Sequence, residues 1–345
     1  MKIMHIIDTL AYHGSARQLQ LLAPALADEH TSVEVCCLGP DTSGTESLRR
    51  AGMRVHTLGW TRWFDPGVPL SLRTILREAC PDIVHVWRPT ALRMLAVAAR
   101  EWLPRVVMSA PLPSKGEMSW WDRQLMRRVG VVSAAGPNEQ ARCIQAGATS
   151  SAVRIMPLAV ARAEETTPDP AAILWMGRFE RAAGGREAIV AFDFLRRRFT
   201  HMRLRLLGAG IHEETLRALV SGLESQAVVS FLGAHGDTYE HLRQAALVWI
   251  PSLANVGRQV ALEAMAHGRA IVAFDVPCLR DVIVDRETGF LVPVGDIVQM
   301  ARRSRDLLME PALRARMGDA ARRHVETRWP LAQTVVHWRD LYRSL

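Results

Sequence analysis

The chain has 345 residues, of which 49% are hydrophobic and 23% charged, and a formal net charge of +8; the length suits two domains rather than one core, and the composition excludes disordered and fibrous classes. No stretch approaches the roughly 18 consecutive apolar residues needed to cross a bilayer, and the opening MKIMHIIDTL carries no signal-peptide cleavage pattern, so a cytoplasmic protein is expected. Of the 43 lysines and arginines only Lys2 and Lys115 are lysines; coding bias would produce this, and so would a need to grip phosphates or an anionic membrane surface, which arginine does with two parallel hydrogen bonds.

Lys2 to Ile7 reads as a strand, followed by a turn with Gly14 and a helix with apolar residues at Leu19, Leu22 and Leu26. Strands follow at Ser32 to Leu38, Arg54 to Leu58, Asp82 to Trp87 and Arg105 to Ser109, separated by helical segments. This alternation predicts a parallel sheet with helices on both faces. In SWWDRQLMRR, Trp120, Trp121 and Leu125 stand near Arg123, Arg127 and Arg128; the segment reads either as a helix at a membrane interface or as an ordinary helix with tryptophan in the core. Val129 to Ala134 (strand), Pro137 to Ala146 (helix) and Arg154 to Pro157 (strand) complete the first half.

The polar, proline-containing stretch from Ala161 to Pro170 is the expected boundary between a first domain, 1–160, and a second, 161–328. Beyond it the alternation resumes: a strand at Ala171 to Met176, a loop with Gly177 and Arg178 leading into a helix, then a strand, a turn with Gly208 and Gly210, and another helix. The stretch Val248 to Phe274, VWIPSLANVGRQVALEAMAHGRAIVAF, reads as strand, polar loop through Asn255, Val256 and Gly257, helix from Gln259 to His267, and strand. The helix N-terminus then lies at the carboxyl end of a parallel sheet, where unpaired N–H groups and the helix dipole favour phosphate. Glu263 sits one turn inside, placed to accept hydrogen bonds from sugar hydroxyls. Two helical segments close the chain, Pro311 to Thr327 and Pro330 to Leu345; Trp338 and Tyr342, four apart on one face of the second, would anchor it.

These motifs, in this order, resemble retaining glycosyltransferases of family 4, which have the GT-B fold. The resemblance runs over nearly the whole chain: HGSARQL, DIVHVW, Glu139 after the sixth strand, GRFERAAGG, the GAG turn, LEAMAHG, and Pro277, Arg280, Asp281, Thr288, Gly289 and Pro293 further on. It implies an α/β protein of two Rossmann-like domains, their parallel sheets facing a central cleft, with a terminal helix at 329–345 crossing back to the acceptor-binding first domain. It implies donor-binding roles for Gly14, Gly177, Arg178, Gly208, Val256, Gly257, Arg258 and Glu263, and an acceptor-side role for His13 and Glu139, although His13 also reads as a surface loop residue. Catalytic roles fall to Arg178, which clamps the departing diphosphate, and to Asn255, which stands where the family has the first of two glutamates.

Three groups that the family pattern places in the site are changed. Asn255 replaces that glutamate, Ala183 replaces a diphosphate-clamping lysine, and VVMSAPLPS after the fifth strand lacks the usual histidine. Arg181 and Arg258 are candidate substitutes for the missing lysine charge. Two readings therefore stay open. One is a metal-independent glycosyltransferase that takes a nucleotide diphosphate sugar, uses no further cofactor, and acts on a glycan or lipid-linked acceptor, with peripheral contact at the inner face of the membrane through the first domain. The other is a catalytically degenerate relative acting as a nucleotide-binding or scaffold subunit; a phosphorylase or sugar-phosphate synthase on the same fold is a third. A nucleic-acid partner is not expected, because the arginines form no basic stripe with interleaved aromatics. Five cysteines without a C-x-x-C pair read as isolated thiols, and no aspartate cluster reads as a metal site.

Overall fold

A computed structural model describes residues 1–11, 14–61, 65–109, 119–164, 166–233 and 238–345. The chain forms two compact units, Met1–Ala159 with Leu331–Leu345, and Val160–Pro330.

The first unit is built on strands β1 (Lys2–Ile7), β2 (Ser32–Cys37), β3 (Arg54–Thr57), β4 (Ile83–Trp87), β5 (Val106–Ser109), β6 (Val131–Ala134) and β7 (Val153–Ile155). They form a seven-stranded sheet in the order β3-β2-β1-β4-β5-β6-β7, parallel throughout. Helices α1 (Gly14–Leu26), α2 (Ser43–Arg50), α3 (Gly67–Ala79), α4 (Pro89–Ala98), α5 (Trp120–Met126) and α6 (Pro137–Gln145) make the connections. Helices cover both faces of such a sheet, so central strands such as IVHVW are buried at every position and read as continuous apolar runs. The expected strands all occur, with ends shifted by up to two residues. Leu58, for example, bonds back to Cys37 beyond the end of β3.

The second unit repeats the plan with β8 (Ala172–Met176), β9 (Arg203–Leu207), β10 (Val229–Gly233), β11 (Leu247–Ile250), β12 (Ala270–Phe274) and β13 (Phe290–Val292). The order is β10-β9-β8-β11-β12-β13, again all parallel. Its helices are α7 (Gly185–Arg196), α8 (Glu213–Gly222), α9 (Thr238–Gln244), α10 (Arg258–Ala266), α11 (Pro277–Arg280), α12 (Ile297–Met309) and α13 (Pro311–Arg328). Helix α12 is not visible in the sequence pattern because its three arginines and one aspartate mask the stripe at Met300, Ala301, Ser304 and Leu307 that it buries. Trp249 of β11 fixes that helix by donating Nε1–H to Ser304 Oγ at 2.9 Å.

The terminal helix α14 (Leu331–Arg343) belongs to the first unit. Val335, Trp338 and Tyr342 enter the same apolar cluster as Ile7, Leu19 and Leu22, and Arg339 pairs with Asp28 at 2.7 Å. Trp338 and Tyr342 are the anchors that the four-residue spacing predicts. Trp120 and Trp121 of α5, by contrast, are 70% and 48% exposed while Leu125 is buried, so these tryptophans are not core residues.

Candidate functional site

In an open parallel sheet, ligands bind beyond the carboxyl ends of the strands where the strand order reverses. In the second unit that point lies between β8 and β11. The loops leaving β8, β9 and β11 interlock there through backbone groups. Gly177 N–H donates to Leu207 O at 3.1 Å and Phe179 N–H to Ala209 O at 2.9 Å, joining the first loop to the second; Leu253 N–H donates to Ala182 O at 2.9 Å, joining it to the third. Gly208, at φ 153°, packs so closely on Gly177 that an added Cβ would lie 1.8 Å from the Gly177 carbonyl oxygen. No other residue fits that turn.

The third loop runs into α10 through Gly257, whose φ of 103° sets the helix entry. Its residues are tied to the short helix α11: Cys278 N–H donates to Asn255 Oδ1 at 2.7 Å, and Cys278 Sγ lies 3.4 Å from the Val256 carbonyl oxygen. Asn255 therefore caps α11, using the one acceptor atom of its side chain that a glutamate would also have offered. Arg258 opens α10, and its Nη2 pairs with Asp281 Oδ2 at 2.5 Å. Both side chains are largely buried, at 10% and 16% exposure, which commits this guanidinium to a local carboxylate. Arg178 is half exposed and pairs with Glu180 at 2.5 Å, while Arg181 is exposed.

Glu263 is 3% exposed, and its Oε1 accepts from Gln259 Nε2 at 2.9 Å. The four-residue spacing puts Gln259 on the same face of α10; sequence reasoning missed Gln259 as a partner of Glu263, although that spacing could have shown it. Arg178, Gly177, Gly208, Asn255, Val256, Gly257, Arg258 and Glu263 thus all fall on the loops at one end of this sheet or in the helix that opens there.

The remaining candidates lie in the first unit. Gly14 is the first residue of α1, and His13 lies outside the described residues, as does most of the segment that follows β5. Glu139 Oε2 accepts from Ala135 N–H at 2.7 Å, holding the turn into its own helix. At the strand-order reversal of this sheet, Arg88 has φ 102°, a strained value for a residue with a side chain, and reaches Asp8 at 3.1 Å. Nothing in the sequence marks Asp8 and Arg88, because their pairing depends on β1 and β4 becoming neighbours. Among the described residues, no group of three His, Cys, Asp or Glu side chains could hold a metal ion.

Residues 160–324 match the model of the family described as glycosyl transferases group 1, and residues 13–159 match that of the glycosyl transferase 4-like domain. The chain belongs to the group 1 glycosyl transferases. Among relatives of this group 1 chain, the putative glycosyltransferase EpsD of Bacillus subtilis (strain 168) is 31% identical over 159 residues, covering 46% of this chain and 42% of EpsD. The chain therefore aligns with less than half of that relative's length. A phosphatidyl-myo-inositol mannosyltransferase of Mycobacterium leprae (strain TN) is 28% identical over 340 residues, covering 91% of this chain and 84% of the relative. The fold is that of the crystal structure of HepE from Anabaena in complex with UDP and glucose, with a TM-score of 0.85 at 17% identity and both chains fully covered. Sucrose-phosphate synthase from Thermosynechococcus elongatus shares it at a TM-score of 0.82 and 17% identity, covering 100% of this chain and 99% of the other. The group 1 chain thus has the two Rossmann-like units of the GT-B fold that its motif order predicts.

Proposed function

We propose that the chain is a hexosyl-type glycosyltransferase that moves a sugar from a nucleotide diphosphate sugar to an acceptor hydroxyl, with retention and without a metal ion or further cofactor. One observation carries the reading: three loops locked together by backbone contacts at the strand-order reversal of the second unit, beside the N-terminus of α10. Backbone N–H groups at such a terminus meet the negative charge that develops on a departing diphosphate, and Arg178 in the first loop adds a fixed cation. Glu263, held by Gln259, is the acceptor for donor hydroxyls. HepE, which shares this fold, was crystallised with UDP and glucose, in keeping with that assignment.

The relative named as a phosphatidyl-myo-inositol mannosyltransferase supports a lipid-linked acceptor. So does α5, which exposes Trp120 and Trp121 next to Arg123, Arg127 and Arg128: an aromatic and cationic face of this kind suits the inner surface of a membrane. His13 and Glu139 are assigned to the acceptor side.

A binding-only subunit is the second reading, and Asn255 favours it. The side-chain oxygen that would face a sugar is engaged by Cys278 N–H, and an amide adds no charge to the site. The two readings part in one experiment. The chain is incubated with a panel of nucleotide sugars, with and without EDTA, and release of nucleoside diphosphate is followed alongside calorimetric nucleotide binding. Release that survives EDTA, with an α-linked product from an α-linked donor, supports the transferase. Binding that is lost in Glu263→Gln, without turnover, supports the subunit. No nucleotide binding at all sinks both.

A further inference from the structure

The amino ends of the second unit's strands carry a separate feature. There the entries to β8, β11 and β12 open onto a cavity of about 1290 Å³, bounded by Arg162, Thr166 and Pro170 on one side and by α13 on the other. The strands are parallel, so this cavity and the loops around Gly177 and Gly257 lie at opposite ends of the same sheet. The four residues of β11 alone separate them by about 13 Å.

Five arginines line the cavity against three carboxylates, Glu164, Asp319 and Glu326, among the described residues. At its base is Arg269, 4% exposed. Its hydrogen bonds go to carbonyl groups and a hydroxyl: Nε donates to His267 O at 2.7 Å, Nη1 to Ala245 O at 3.3 Å, and Nη2 to Thr166 O at 2.9 Å and Thr166 Oγ1 at 3.4 Å. The side chain is rigidly placed and keeps its charge. Burial, together with the charges of Arg322 and of Arg314 in the first turn of α13, lowers the Arg269 pKa to about 10. Burial lowers that of Arg314 as well.

The backbone enforces this crowding. Helix α13 passes so close to the turn before β12 that a Cβ on Gly318 would lie 2.1 Å from the Gly268 carbonyl oxygen, and the Arg322 guanidinium lies over Gly268 itself. Carbonyl contacts make Arg269 a staple for the 166 segment, and two further guanidiniums, those of Arg314 and Arg322, line the same cavity. Like charges brought together away from water repel, and an anion between them reverses the sign of the interaction. Arg162 and Arg323, both exposed, stand at the mouth, and the α13 N-terminus at Pro311 adds a dipole of the same sense.

The geometry points to a second anion site in this unit, at the amino end of the sheet, for a phosphate-bearing ligand. Forked guanidinium groups recognise phosphate oxygens in pairs, and the cavity admits more than a bare ion. A free phosphorylated metabolite and a lipid phosphate headgroup present the same chemistry.

The test titrates inorganic pyrophosphate calorimetrically into the full chain, comparing wild type, Arg314→Gln, the exposed pair Arg162→Gln/Arg323→Gln, and Arg178→Ala as a donor-loop control. The expected result is a binding event weakened about ten-fold or more in the first two variants and retained in the third. The exposed pair keeps the comparison valid if Arg314→Gln fails to fold, which circular dichroism reports. Pyrophosphate binding unchanged in the exposed pair and in folded Arg314→Gln overturns the proposal. Sedimentation with phosphatidic acid vesicles, against phosphatidylcholine vesicles, distinguishes the sources: vesicle binding lost in the same variants assigns a headgroup, and pyrophosphate binding without vesicle binding assigns a free metabolite.

Discussion

The Tyr342 hydroxyl lies 2.6 Å from Nδ1 of His85, 257 positions earlier in the chain. His85 Nε2 continues to Ser109 Oγ at 2.8 Å, and Ser109 to Ser133 Oγ at 2.9 Å. The terminal helix is therefore held to the sheet of the first unit by a buried polar relay as well as by the packing of Trp338, whose ring stacks on His85 at 4.9 Å.

Tyr342→Phe removes one end of that relay and leaves His85 Nδ1 buried without its partner. The expected loss is about 1–3 kcal/mol, seen as a lower urea midpoint when unfolding is followed by tryptophan fluorescence. A midpoint equal to wild type would show that the hydroxyl contributes nothing to holding α14.

Burial sets the pH dependence of the same region. His5, fully buried beside His85 and accepting from Trp87 Nε1 at 3.0 Å, has its pKa lowered from 6.5 to about 3, and that of His85 is lowered in the same direction. The unfolded chain thus binds more protons than the folded one below pH 6.5. The stability these residues contribute is full above that value and is lost as pH falls towards 3, by up to about 1.4 kcal/mol per pH unit for His5 alone. Urea midpoints at several pH values between 7 and 4 should fall more steeply in wild type than in His5→Gln; parallel curves would contradict the assignment.

Arg258 and Asp281 form a largely buried pair. Arg258→Ala or Asp281→Asn alone should cost about 3 kcal/mol, because one charge loses its principal counter-charge in a dry setting, whereas Arg258→Met/Asp281→Leu should recover part of that loss. A double-mutant cycle on thermal unfolding measures the coupling. If Arg258→Ala changes nucleotide affinity with no effect on stability, the arginine serves the donor and not Asp281.

Two glycines separate loop geometry from generic chain effects. Gly208→Ala would force a Cβ against the Gly177 carbonyl, and nucleotide binding should fall sharply together with the melting temperature. Gly222→Ala meets nothing within 4 Å and should be neutral or stabilising by about 0.4–1 kcal/mol, with binding unchanged. Equal effects of the two substitutions would remove the loop interlock as the basis of the site.

Much of this protein is legible along the chain. Apolar runs such as AILWM, LVWI and AIVAF mark the strands, glycine turns mark the loops at their carboxyl ends, and the Gln259-to-Glu263 spacing marks the face of α10, because each of these patterns repeats within a few residues. Helix α12 escaped because charged residues interrupt its apolar stripe.

What the sequence by itself determined was the order of elements, the two Rossmann-like sheets and the family, all of which rest on local periodicity and on motifs in a fixed order. Partner choice was decided by the tertiary structure alone. Asn255 stands in the place of a glutamate along the chain and caps α11 in the fold; Arg258 reads as a substitute for the missing lysine charge and pairs with Asp281; Arg269, Arg314 and Arg322 form no basic stripe in the sequence and meet around one cavity. Hydrogen bonds and ion pairs form between groups that the sheet order brings together, and that order couples residues too far apart in sequence for any local pattern to record.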